Sequence, residues 1–138
     1  MPDKLDDELR ITLMRLARRI RQQRHDDTLS DSQLSVLYVL AHLGGSTLAA
    51  LAEHERVTPP SMNRTVNCLS DEGLITRSSS PDDGRKLLIE ATDAGVELVD
   101  KTRQRRAEWF AAELAELDPD ELDALRTAIP VLLKLANS

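Results

Sequence analysis

One short stretch breaks an otherwise helical pattern. Leu74 to Ser78 and Arg85 to Ala91 read as β-compatible runs, and the Ser79-Ser80-Pro81-Asp82-Asp83-Gly84 between them is rich in turn formers. That combination predicts a hairpin with a polar tip. Elsewhere apolar residues recur at helical spacing, so the predicted fold is mainly α with a small β-hairpin. Aromatic residues make up only 2% of the 138 positions, so Leu, Ala, Val and Ile must fill the core.

The helices announce their own ends. Leu5, Leu9, Leu13, Leu16 and Ile20 predict an amphipathic helix over 4–24, its solvated face carrying Arg15, Arg18, Arg19, Arg21 and Arg24. Ser30 and Gln33 form a capping-box pattern before a second helix through Leu34, Leu37 and Leu40, which stops at Gly44-Gly45. Thr47 caps a short third helix, Leu48 to His54, and Glu55-Arg56-Val57 makes a tight connection. Thr58 caps a fourth helix opening on Pro59 and Pro60, where a missing N–H costs nothing, and Gly73 ends it. A short helix, a turn and a longer helix make a helix-turn-helix, and the hairpin after it is a wing. Thr92 caps a long helix to about Leu117; Asp118 and Glu121 start a last one, which Pro130 should kink.

The outer face of the fourth helix carries the chemistry. At 100° per residue Met62, Val66 and Leu69 fall together toward the core. Pro60, Arg64 and Asn67 fall opposite, flanked by Ser61 and Asn63, with no carboxylate before Asp71. Arg can bond guanine O6 and N7 bidentately, and Asn can do the same to adenine N6 and N7. On the wing, Arg77, Arg85 and Lys86 are the candidate DNA contacts, an Arg on a hairpin tip suiting a narrow minor groove. Asp83 reads as the residue that orders this turn.

The net charge of −6 does not exclude a nucleic-acid partner, because its distribution matters more than its total. Residues 91–138 hold ten acidic and six basic side chains, whereas 56–90 balance five of each. A sequence-blind, histone-like binder is excluded; a locally basic reading surface on an acidic body is not. The pattern contains no nucleophile–base motif, phosphate loop or metal cluster, so neither an enzyme nor a bound cofactor is expected. His25, His42 and His54 lack ligand spacing, and no metal site is expected. A single cysteine and the lack of a signal peptide or a membrane-length apolar run lead to the expectation of a cytoplasmic protein.

Taken in order, Thr58-Pro59-Pro60-Ser61-Met62-Asn63-Arg64, Leu69, Gly73-Leu74-Ile75, Arg77, Asp83-Gly84-Arg85 and Thr92-Asp93-Ala94-Gly95 resemble the MarR (multiple antibiotic resistance regulator) family of bacterial winged-helix repressors. The likeness spans nearly the whole chain. It implies a single domain over 1–138, with a winged helix-turn-helix at about 30–91 and dimerisation helices at about 1–29 and 92–138. It implies a recognition helix in the major groove, Arg85 in the minor groove, and a pseudo-palindromic operator under a homodimer. In many relatives a small aromatic acid or drug-like effector between the two parts releases the DNA; Tyr38, His42 and the first-helix arginines are a guess at such a pocket. Peroxide-sensing relatives carry a reactive Cys in the first helix, which has none here, and Cys68 is expected to be a bystander.

The terminal helices are richer in apolar residues than one small winged domain can bury. Leu5, Leu9, Trp109, Phe110, Leu114, Leu122, Leu125, Ile129 and Leu132 are therefore assigned to a dimer interface. The competing expectation is a winged-helix protein–protein adaptor without specific DNA binding. It calls for an apolar or acidic outer face on the fourth helix, and Ser61, Asn63, Arg64 and Asn67 make neither.

Overall fold

The computed structural model describes residues 4–24, 28–79, 84 and 86–138. Six helices and one hairpin follow in the expected order: α1 (Lys4–Gln22), α2 (Asp31–Leu43), α3 (Leu48–Glu55), α4 (Pro59–Asp71), β1 (Ile75–Ser79), β2 (Leu87–Ala91), α5 (Asp93–Ala115) and α6 (Pro119–Ala136). Each expected side-chain cap is in place. Thr47, Thr58 and Thr92 accept from the third backbone N–H of their helices, and Ser30/Gln33 and Asp118/Glu121 close full capping boxes. These bonds occupy donors that the first helical turn leaves without partners.

Some boundaries move. α1 ends at Gln22, two residues early, and α5 at Ala115; α6 continues through Pro130 to Ala136. The strands begin at Ile75 and Leu87 instead of Leu74 and Arg85, and Ser79 belongs to β1 instead of the tip. Leu74 is spent on the corner, where its carbonyl accepts from Thr92 N at 3.0 Å.

That corner explains two of the sequence signatures at once. Gly73 turns at φ +74°, a conformation that other side chains rarely adopt. The Thr92 hydroxyl donates to Gly73 O at 2.8 Å while accepting from Gly95 N at 3.1 Å. A Cβ on Gly95 would lie 2.3 Å from Leu74 O and 3.0 Å from Leu37 Cδ1, so only glycine lets α5 start this close to the α4–β1 junction.

β1 and β2 pair antiparallel with Arg77 opposite Ile89. Ser46 adds a third, one-residue rung, exchanging backbone bonds of 2.9 and 2.8 Å with Ile89. The hairpin is thereby fastened to the α2–α3 connection as well as to its own partner strand.

The core lies between Leu29 and Val99. Leu34, Val36, Leu37 and Leu40 of α2, Leu51 and Ala52 of α3, Met62, Val66 and Leu69 of α4, and Ile75 and Ile89 of the hairpin are all buried. α5 closes it through Gly95, Val99 and Thr102, the Thr102 hydroxyl donating to Leu98 O at 2.9 Å. Neither α1 nor α6 contributes a buried residue.

Candidate nucleic-acid interface

α4 is held rigidly from behind. Met62 and Val66 are 1% exposed and Leu69 0%, so one side of the helix is locked into the core. Its opposite side presents Pro60, Asn63, Arg64 and Asn67 to solvent, with Ser61 and Cys68 half-buried on the flank. The angular division expected from the sequence is therefore the one observed. Its first turn contains no acidic residue, and no acceptor among the described residues holds the Arg64 guanidinium. A planar cation with several free N–H donors thus stands on a helix that cannot rotate away.

The turn before α4 contains a residue that sequence reasoning had assigned only to a connection. Arg56 sits at φ +56°, the one described non-glycine residue in the left-handed region. Its N–H bonds back to Glu53 O at 3.2 Å and Val57 N to Ala52 O at 3.0 Å, closing α3 so that Thr58 can begin α4. The side chain is exposed, which puts a further cation in the turn before α4. Glu55 accepts from the Ser35 hydroxyl at 3.0 and 3.2 Å and ties this turn to α2.

On the wing, Arg77 and Lys86 are exposed. Arg77 donates to Asn67 Oδ1, so two residues assigned separately to helix and wing touch each other. Arg85 and Asp83 lie outside the described residues.

The assigned dimer residues divide by exposure within one chain. Leu5 (63%), Ile129 (53%) and Leu125 (43%) are open to solvent. Leu9, Trp109, Phe110, Leu114, Leu122 and Leu132 are half-buried. Trp109 stacks 6.0 Å from Phe110 and lies under the Arg19 guanidinium at 5.0 Å, which covers part of it from α1.

A concave site lies where α1, α2 and α5 meet. A cavity of about 320 Å³ is lined by Leu34, Tyr38 and Val99 on its apolar side and by Arg21, Arg103 and Arg106 on its charged side. Tyr38 and, of the first-helix arginines, Arg21 line this cavity; His42 does not, and instead packs its ring 4.5 Å from Tyr38. Arg106 donates to the carbonyls of Arg21 and Gln23, both at 3.2 Å, occupying acceptors at the end of α1. Burial lowers the Arg106 pKa; Asp31 opposes this, and Arg24 and Arg21 add to it. Asp31 meets Arg24 at 3.1 Å and Arg21 at 3.8 Å, while Arg103 has no acceptor among the described residues. Arg103 and Arg106 were missed because only the fold brings α5 beside α1. No group of His, Cys, Asp and Glu among the described residues could hold a metal ion.

Known proteins share this fold. Residues 29–87 match the model of the MarR family. A helix-turn-helix-type transcriptional regulator of Mycobacterium bovis is 42% identical over 134 residues, 97% of this chain and 94% of that protein. A transcriptional regulator of Pseudomonas aeruginosa superposes with a TM-score of 0.86 at 30% identity, covering 99% of both chains. BpsR of Bordetella bronchiseptica, whose DNA binding is regulated by 6-hydroxynicotinic acid, shares the fold at a TM-score of 0.68 and 22% identity, over 99% of this chain and 95% of its own. No helix among the described residues is long and apolar enough to cross a membrane. Family and relatives are transcriptional regulators, not enzymes. This chain belongs to the MarR family of winged helix-turn-helix, DNA-binding transcriptional regulators.

Proposed function

We propose that two copies of this chain form a cytoplasmic repressor that reads a pseudo-palindromic operator and lets go of it when a small anionic aromatic effector binds. The observation that carries the DNA reading is Arg64: exposed, unpaired among the described residues, and mounted on a helix whose back is buried. In this reading residues 30–91 are the DNA-binding part, and 1–29 with 92–138 the dimerisation part. Ser61, Asn63 and Arg64 enter the major groove, Pro60 lets the first turn come close to the backbone, and Arg85 and Lys86 follow the wing.

Two identical recognition helices on one DNA face place half-site centres one turn apart, about 10–10.5 base pairs. The effector would occupy the cavity between α1, α2 and α5. Its volume, about 320 Å³, is at the low end for small-molecule pockets, and Tyr38 beside Arg103 suits a ring bearing a carboxylate.

Footprinting on the DNA upstream of the chain's own gene, at stated salt, tests the reading. Arg64→Ala should cost about 1–3 kcal/mol on the operator and relax one base position per half-site. Equal losses on operator and random duplex would show that Arg64 does not read bases. A thermal-shift series with benzoate, with and without operator, tests the effector: benzoate should stabilise the free protein and weaken the complex. No shift at any concentration would remove aromatic acids from consideration.

A further inference from the structure

The contact between Arg77 and Asn67 bears on how the operator is read. Arg77 stands on β1 opposite Ile89, and its guanidinium donates to Asn67 Oδ1 on α4. Both side chains are exposed, so nothing in the core imposes the contact. Among the described residues no carboxylate takes Arg77 from the amide.

The chemistry of the donor fixes the orientation of the acceptor. A guanidinium has five N–H donors and no acceptor atom, so the amide atom it bonds must be the oxygen. The Asn67 amide is thereby turned with Oδ1 toward the wing and with Nδ2, which carries two N–H donors, away from it. An asparagine that reads adenine must offer both ends at once, donating to N7 and accepting from N6. Arg77 occupies one of the two lone pairs of Oδ1 and holds that end toward the wing, so the end of the amide left facing outward is the donor end.

We propose that Arg77, by holding Oδ1 toward the wing, biases Asn67 to read with its Nδ2 donors and so to favour a base with an acceptor-only major-groove edge. Guanine offers O6 and N7 and thymine offers O4, whereas cytosine presents a donor and adenine presents both. The inference rests on the operator-reading function proposed above and specifies what one residue contributes to it. Arg77 then acts as a positioning residue for specificity, and its role is not that of a phosphate contact alone.

Selection from a random-sequence duplex pool by the full-length protein tests this, with each variant's far-UV spectrum and melting checked against wild type. The position read by Asn67 is the one whose preference disappears in Asn67→Ala, with affinity for the selected site falling about five- to tenfold. In wild type that position should hold guanine or thymine. Arg77→Ala frees Oδ1, and the preference there should move toward adenine by a similar factor. Arg77→Lys still supplies only donors and should retain the wild-type base, which guards against a folding defect in the alanine variant. Asn67→Asp keeps an acceptor for Arg77 but replaces the outward donor with an acceptor, so the preference should invert toward cytosine. Adenine at that position in wild type, a preference untouched by Arg77→Ala, or no base position affected by Asn67→Ala would each overturn the inference. A wild-type protein that enriches no sequence would instead defeat the operator-reading function itself.

Discussion

The winged part and the terminal helices draw on the same apolar residue types, yet only one of them is finished within a single chain. Between Leu29 and Val99 most large apolar side chains close on one another in a single buried cluster, with Leu37 and Leu69 wholly buried, while Leu43, Val57 and Leu87 stay exposed at its edges. α6 is patterned as regularly but shows Leu125, Ile129, Val131, Leu133 and Leu135 at 43–61% exposure. α1 likewise shows Leu5 and Met14 at 63% and 62%. Helical periodicity states that a face must be covered; it does not state by what. In the dimer proposed above, a second copy of the same helices would cover these apolar side chains, as an isologous interface does.

The contrast predicts two kinds of destabilisation. Leu69→Ala removes a side chain with no room around it and should cost about 2–5 kcal/mol. That loss belongs to the folding of each chain, so the melting temperature should fall by a similar amount at every protein concentration. A loss below about 1 kcal/mol would mean that the winged core is looser than its burial indicates.

Ile129→Glu should behave differently. Within one chain the side chain is 53% exposed, so a lone monomer would hardly notice the change. Buried against a second α6, the same side chain is worth about 1.5–3 kcal/mol, and the carboxylate adds a desolvation penalty. The variant should sediment as a smaller species at concentrations where wild type is dimeric, and its melting temperature should become more dependent on concentration. Sedimentation of wild type as a folded monomer at micromolar concentration would remove the contrast altogether.

How much of this was legible beforehand follows the range of each interaction. The caps at Ser30, Thr47, Thr58, Thr92 and Asp118 bond within one helical turn, and all were readable from spacing. The buried stripe Met62, Val66, Leu69 was readable because a helix repeats its own geometry. The Ser46–Ile89 rung was not, since a single bridging residue leaves no period. Asn67 and Arg77 were each assigned to the interface, but their contact joins two elements whose packing angle no local pattern contains. Arg106 reaches carbonyls more than eighty residues earlier in the chain, and only tertiary structure puts it there. Most of the expected polar tip of the wing, with Asp83 and Arg85, lies outside the described residues.

The smallest expected effect concerns pH, and it separates the two regions by charge instead of by packing. Thr102 is the one buried polar residue described, so the winged core holds no buried ionisable group whose titration could dominate acid unfolding. Glu97, on the open side of α5, has its pKa lowered, first by the hydrogen bond from Lys101 and then by that residue's charge, the two groups lying 2.9 Å apart. A carboxyl with a depressed folded pKa contributes stability above its unfolded value and loses it as pH falls through the folded one. The loss from this pair therefore belongs to the acid side of the ordinary glutamate range, and at neutral pH the pair is fully formed. Because Glu97 is exposed, water and salt screen the interaction. Glu97→Gln should leave the neutral melting temperature nearly unchanged and flatten the acid limb of the stability curve only slightly, less so in high salt. A large salt-sensitive loss at neutral pH would show that Glu97 meets more than Lys101. The surface around α5 would then have to be assigned to the dimer along with the apolar faces of α1 and α6.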